Sequence, residues 1–180
     1  MSMTSHLGGE GNILNPESGH AKLIKIDGPI LTNAQFAKLR HLEKSAPLSL
    51  LFRTSEGASG LQKALDRICK EAASAIRSGK EYLILSDRGV GQDLAPIPAL
   101  LAVGAVHHHL IREKLRSSSS LILETGEARE IAHFCLLIGY GVGAVNPYLA
   151  FETFEQILSE GTLPKELTFE KAIKNYLKAI

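Results

Sequence analysis

Residues 82–124 read YLILSDRGVGQDLAPIPALLAVGAVHHHLIREKLRSSSSLILE. A compact apolar run, Tyr82 to Leu85, is followed by a polar turn, a helical stretch from about Pro98 to Leu115, and a second compact run, Leu121 to Leu123. Two short apolar runs separated by a long helix cannot be joined as a hairpin, so they pair in parallel through a right-handed crossover. A parallel sheet of this kind is covered on both faces.

The same unit recurs on either side. Upstream, Leu48 to Phe52 reads as a strand, and the helix after it places Leu61, Ala64, Leu65, Ile68, Cys69, Ala72 and Ile76 on one stripe at a 3.6-residue period. Ser59 and Gln62 stand at capping-box spacing for its start, and Gly79 stops it. Downstream, a third helix spans Glu127 to Ile138, Gly139 to Gly143 form a helix stop and tight turn, and Ala144 to Val145 form a fourth strand. Asn146 is placed as an N-cap with Pro147 at the first helical position, opening a helix that runs to about Ser159. The expected fold is therefore α/β: a parallel sheet of about four strand-helix repeats, open or partial-barrel, with helices on both faces. Strand starts are unevenly spaced, which excludes a solenoid.

Residues 1–47 read as a lead-in to this core. Residues 1–21 are polar and Gly-rich with little regular structure expected, Lys22 to Asp27 is a short edge strand, and Thr32 with Gln35 forms a capping box for a helix from Asn33 to about Glu43. Residues 48–160 hold the repeats. Residues 161–180 end in an amphipathic helix that puts Phe169, Ala172, Ile173, Tyr176, Leu177 and Ile180 on one stripe, as expected of a segment docked on a partner or continuing into something larger. All three parts belong to one domain, and the serines 117–120 read as a loop.

Composition narrows the function. Among 180 residues, 20 basic against 19 acidic side chains give a net charge of +1, so no summed field attracts a nucleic acid backbone or an anionic membrane. The longest uncharged apolar stretch, Ala95 to Val106, is shorter than the roughly 20 residues of a membrane crossing. The N-terminus lacks the basic and apolar regions of a secretory signal, and two distant cysteines fit a reducing compartment, so a cytoplasmic setting is expected.

Several motifs read more simply than they look. His107, His108 and His109 diverge around a helix at about 100° per residue and cannot converge on one ion. His109 with Glu113, joined by His133 if the fold allows, is the only usable metal set, and structural histidines are the simpler reading. Gly139 to Gly143 precedes a strand, the reverse of a dinucleotide fingerprint. Cys69 and Cys135 fall on expected core stripes, where a thiol acts as a small hydrophobe. Polar groups gather instead where strands end: Ser86, Asp87 and Arg88 after the second, Glu124, Thr125, Glu127 and Arg129 after the third, Asn146 and Tyr148 after the fourth. Carboxyl ends of parallel strands share one side, where sites form. This edge reads as caps and a salt-bridge network, as a docking surface, or as a small-ligand site.

The runs SDRGVGQDLAPIPALLAVGAVHHHLIRE (residues 86–113), ETGEAREIAHFCLLIGYG (residues 124–141) and AVNPYLAFET (residues 144–153) also carry a family resemblance. Together they resemble the central domain of the glutamate synthase large subunit, in particular its C-terminal part. SHLGGEGNIL, GPILTNAQFAKLR (residues 28–40) and EGASGLQKALDRICKEA (residues 56–72) are similar to that domain as well, and NYLKAI resembles the approach to the family's flavin domain. The resemblance implies a parent enzyme that converts glutamine and 2-oxoglutarate to two glutamates. It does so with a glutaminase domain, an FMN-binding barrel carrying an iron-sulfur cluster, and an internal path for ammonia. It implies for this chain a structural and interaction module whose partners are the glutaminase and FMN domains, with no catalytic, cofactor-binding or metal residue of its own. Cys69 and Cys135 do not match the family's cluster cysteines, and the strand at Leu48 to Leu51 lacks an acidic residue expected there. The alternative is an independent small-ligand or metal protein using Asp87, Arg88, Glu124, Glu127 and His109.

Overall fold

The computed structural model of the chain describes residues 3–11, 14–161, 164 and 166–180. Parts of the expected lead-in (1, 2, 12, 13) and of the C-terminal segment (162, 163, 165) lie outside the described residues. The strands are β1 (Ser5–Leu7), β2 (Ile24–Ile26), β3 (Ser45–Ser49), β4 (Leu51–Arg53), β5 (Tyr82–Ser86), β6 (Leu94–Pro96), β7 (Ser120–Glu124) and β8 (Val142–Asn146). The helices are α1 (Asn33–Arg40), α2 (Gly57–Arg77), α3 (Ala99–Arg112), α4 (Ile131–Gly139), α5 (Tyr148–Ser159) and α6 (Phe169–Ala179). None is long and apolar enough to cross a membrane.

The central sheet is parallel, in the order β3-β5-β7-β8, and open, with β3 and β8 at its edges. Alternation sorts its side chains. Leu83, Leu85, Leu121, Leu123 and Val145 face the larger core, filled by Ala64, Ile68 and Ala72 of α2, Val103 and Val106 of α3, and Phe134 and Leu137 of α4. Tyr82, Ile84, Ile122 and Ala144 face the smaller core, closed by Leu7 of β1, by Leu31, and by Phe36 and Leu39 of α1. Pro47 is tolerated in β3 because an edge strand has only one neighbour to bond. The opposite edge is partly covered: the Leu31 N–H donates to the Val145 carbonyl and the Val145 N–H to that of Pro29. Between Leu121 and Ile122 the β7–β8 register shifts, so that Gly143 is passed over.

Several boundaries differ from the sequence reading. Leu48 to Phe52 is two strands: β3 ends at Ser49, and β4 pairs antiparallel with β6 in a separate sheet. The Arg67 guanidinium donates to the Ser49 and Leu51 carbonyls at 3.0 Å each, holding the chain where it leaves the main sheet. Residues 1–21 contain β1, which pairs antiparallel with β2, and a 3-10 turn at Ser18–Ala21. Ser59 and Gln62 form no capping box, because a 3-10 turn at Thr54–Glu56 runs straight into α2 and the Ser59 hydroxyl donates to the Glu56 carbonyl instead. Helix α1 stops at Arg40, where the Ser45 hydroxyl takes up the Leu39 carbonyl at 2.6 Å. Ser120 belongs to β7, and its hydroxyl binds both the N–H and the carbonyl of Gly8, tying the N-terminal segment to the sheet.

Other features form as expected. Thr32 and Gln35 make their capping box. Gly79, at φ +88°, ends α2 in a Schellman motif: its N–H donates to the Ile76 carbonyl and that of Lys80 to the Ala75 carbonyl. The α6 stripe lies half-buried against the domain, where the Tyr176 ring meets Phe151 and Phe154 edge-on at 6.1 and 5.1 Å and its hydroxyl donates to the Arg129 carbonyl.

Gly141 lies at φ +100°, and a Cβ there would stand 2.4 Å from His107 Nδ1. Around Gly79 the same atom would meet nothing within 4 Å. Gly79→Ala is therefore expected to cost only backbone strain, about 1–2 kcal/mol, and Gly141→Ala that strain plus a clash, about 3 kcal/mol. Urea midpoints for the two variants check the order; equal losses would refute the clash.

Candidate functional site

The last row of the sheet is polar across its width: Ser49, Ser86, Glu124 and Asn146 stand side by side in register. By alternation this row faces α1, and the following residues, Asp87 and Thr125, turn to the other side. Asp87 and Glu124 are each only 2% exposed. Carboxylates so buried need hydrogen-bonding partners; Glu124 has an ion pair as well, and Asp87 is held by hydrogen bonds.

The Asp87 carboxylate accepts the Thr125 hydroxyl at 2.5 Å and the Gly126 N–H at 3.1 Å. The Thr125 hydroxyl in turn accepts the Glu127 N–H, so it is oriented from both sides. Burial, then the Asp87 carboxylate beside its hydroxyl, push the Tyr148 phenol well above its usual pKa, so that it stays neutral. Glu124 accepts the Ser86 hydroxyl at 2.5 Å through one oxygen and Arg88 Nε at 2.8 Å through the other. Arg88 also donates from Nη1 to Glu152 at 2.8 Å, and its guanidinium lies 3.9 Å over the Tyr148 ring centroid. A second cation, Arg40 of α1, stands 3.6 Å from Glu124.

Of the seven sequence candidates, Asp87, Arg88, Glu124 and Tyr148 form this one cluster, and Asn146 borders it. Asn146 is not an N-cap: it is buried as the last residue of β8, and its amide donates to the Leu31 carbonyl and to Asn33 Oδ1 at 2.9 Å each. Helix α5 begins instead at Tyr148 with Pro147 as cap, because the Asn146 side chain is drawn across the sheet edge toward α1. Glu127 is not helical either, since α4 starts only at Ile131; its carboxylate accepts the Ala99 N–H at 3.1 Å and so caps α3. The Arg129 guanidinium is exposed, with no hydrogen bond or ion pair among the described residues. Ser86 and Thr125, named among the polar strand-end groups, belong to the cluster as well. The sequence reading missed Arg40 and Glu152, which lie on helices whose packing decides what they face.

The remaining motifs are structural. His107 accepts from Arg116 Nε at 3.0 Å, while the same guanidinium donates to the Ser119 and Gly141 carbonyls. His133 Nδ1 accepts the Arg129 and Glu130 backbone N–H groups at the start of α4. Glu113, the proposed partner of His109, pairs with Arg77. Among the described residues no group of three or more His, Cys, Asp or Glu is placed to hold a metal. Cys69 packs against the larger core, but Cys135 is exposed, not on the core stripe, because Phe134 and Leu137 supply the buried face of α4. The two thiols line different cavities, an arrangement that does not fit a cysteine-bound cluster.

The family model described as glutamate synthase central domain matches residues 1–180. The chain is 42% identical over 183 residues to the glutamate synthase (NADPH) large chain of Bacillus subtilis, covering 99% of this chain and 12% of that protein. It is 38% identical over 186 residues to the glutamate synthase (NADH) of Schizosaccharomyces pombe, covering 100% and 9%. To ferredoxin-dependent glutamate synthase 1 of Arabidopsis thaliana it is 39% identical over 196 residues, covering 100% and 12%. The chain thus spans about a tenth of the length of these relatives.

Asp87→Ala leaves the Thr125 hydroxyl and Gly126 N–H without their acceptor in a buried turn, and is expected to lower the unfolding free energy by about 2–3 kcal/mol in urea titration. A loss under 0.5 kcal/mol would show that water replaces the carboxylate. His107 gives a pH signature. Burial, then the Arg116 and His108 charges, hold its pKa below the usual 6.5, so the unfolded chain binds the proton more readily. That stability is full above pH 6.5 and is lost as pH falls through the lowered value. Wild type should lose more stability than His107→Gln between neutral and mildly acid pH, and a parallel decline in both would refute the assignment.

Proposed function

The chain belongs to the glutamate synthase central domain family, and on that premise we propose that it acts as a structural and interaction module of such an enzyme. In this reading the parent converts glutamine and 2-oxoglutarate to two glutamates, and the module holds the glutaminase and FMN domains in register around the path that ammonia takes between them. The flavin and the iron-sulfur cluster belong to regions other than this one, and the two free cysteines suit a cytoplasmic setting. Similar identity to relatives named for NADH, NADPH and ferredoxin supports a role that does not depend on the electron donor.

The observation that carries the docking reading is the state of Arg88. Its side chain is 41% exposed, yet it is fixed by Glu124, Glu152 and the face of Tyr148. A guanidinium held in one geometry while still facing solvent has little rotamer entropy left to lose on meeting a partner. With exposed Glu127, Arg129 and Glu152 it gives the strand-end edge both charge signs, as partner recognition favours. Asp87, Glu124, Asn146 and Tyr148 form the buried support beneath.

Arg88→Ala and Glu127→Ala should weaken assembly of the chain with the glutaminase and FMN domains of the Bacillus subtilis relative by about 2–5 kcal/mol for a desolvated pair, measured by sedimentation. Assembly unchanged while the melting temperature falls would assign the edge to stability alone.

A further inference from the structure

Beside this edge, α1 and the strand ends enclose an open cavity of about 480 Å³, within the size range of small-molecule sites. One wall is Phe36, Ala37 and Arg40 of α1; the other is Arg88, Glu124 and Asn146. It lies at the carboxyl ends of β5, β7 and β8, where parallel α/β sheets place their ligands.

We propose that this cavity binds a small monocarboxylate, gripped between the guanidinium groups of Arg40 and Arg88. Glu124 has one oxygen on the Ser86 hydroxyl and the other on Arg88 Nε, so its direct bonds are made without Arg40. Arg40 stands at 3.6 Å, beyond hydrogen-bond distance, with a side chain 46% exposed, and donates no hydrogen bond among the described residues. Arg88 Nη2 likewise has no acceptor among them, since Nε and Nη1 serve Glu124 and Glu152. The cavity is lined by two guanidiniums and one carboxylate; Glu152 pairs with Arg88 Nη1 from outside the lining, which leaves Arg40 as the cation without a direct partner there. A singly charged carboxylate matches that one cation and the free planar fork of Arg40, with Arg88 Nη2 as a further donor. A phosphate of higher charge would meet Glu124 across the cavity. Ala37, with the exposed edge of the otherwise buried Phe36, supplies an apolar contact for the carbon chain.

The inference goes beyond the docking reading and does not rest on it: ligand binding by the full 180-residue chain tests the one, assembly with other domains the other. Titrating the 15N-labelled chain with butyrate should give saturable amide shifts confined to residues 33–41, 86–88, 124 and 146. Arg40→Ala should weaken binding at least about tenfold, equivalent to about 1.4 kcal/mol, with the fold retained because Ser86 and Arg88 still satisfy Glu124. Arg88→Lys, which keeps the charge and loses the free Nη2 donor, should weaken it too, and Lys63→Ala on α2 should not. If Arg40→Ala proves unstable, Arg40→Lys takes its place with the same expected loss. Shifts that never saturate, butyrate binding indifferent to both arginines, or inorganic phosphate binding as tightly as butyrate would each overturn the proposal.

Discussion

Two buried carboxylates, Asp87 and Glu124, set the terms for the carboxyl end of this sheet. An unpaired carboxylate in such a place costs several kcal/mol, so the surrounding chain is arranged to satisfy them. Asp87 draws the turn after β7 toward the turn after β5 through Thr125 and Gly126. Glu124 draws in Ser86 from the neighbouring strand and Arg88 from the turn beyond it. The register of β5 on β7 follows. A slip of one residue would turn Glu124 from the α1 side into the apolar core under α2 and α3, where none of these partners could reach it. The apolar rows drive the sheet together; the carboxylates decide which alignment survives.

How much of this could be read from the residues depends on how local each signal is. The strand-helix repeats were legible because the two central strands, β5 and β7, are compact runs of Leu and Ile and the helix before them carries a periodic stripe, as at Ile68 to Ile76. The identity of the polar strand ends was legible for the same reason, since the position after an apolar run is fixed by counting. What could not be read was decided by contacts distant in sequence. The break between β3 and β4 is held by Arg67 on the next helix. Asn146 has the type and position of an N-cap, but its amide is claimed by Leu31 and Asn33, more than a hundred residues away. Glu127 looked like the first turn of a helix and instead caps a different one.

An internally satisfied network and a docking surface are compatible. Binding stabilises a complex only by what remains after ordering costs, and side chains already held in place carry the smallest such costs. The strand-end edge divides accordingly: Asp87, Glu124 and Asn146 are spent inward, while Arg88 and Glu152 reach solvent from fixed positions.

The two ends of the sheet make the same point through their arginines. At the amino end, Arg116 gives Nε to His107, Nη1 to the Ser119 carbonyl and Nη2 to the Gly141 carbonyl. Each of its nitrogens is committed to holding the 3-10 turn at Arg116–Ser118 and the α4–β8 turn against α3. It is a structural cation, and the strained glycine at 141 beneath His107 shows how closely that corner is packed. At the carboxyl end, Arg88 keeps one nitrogen free of hydrogen bonds among the described residues and Arg40 all of its own, though both lean on the same buried carboxylate. Arg116 thus serves the fold at the amino end, while the donors left over on Arg40 and Arg88 are those that the proposed binding at the carboxyl end would use.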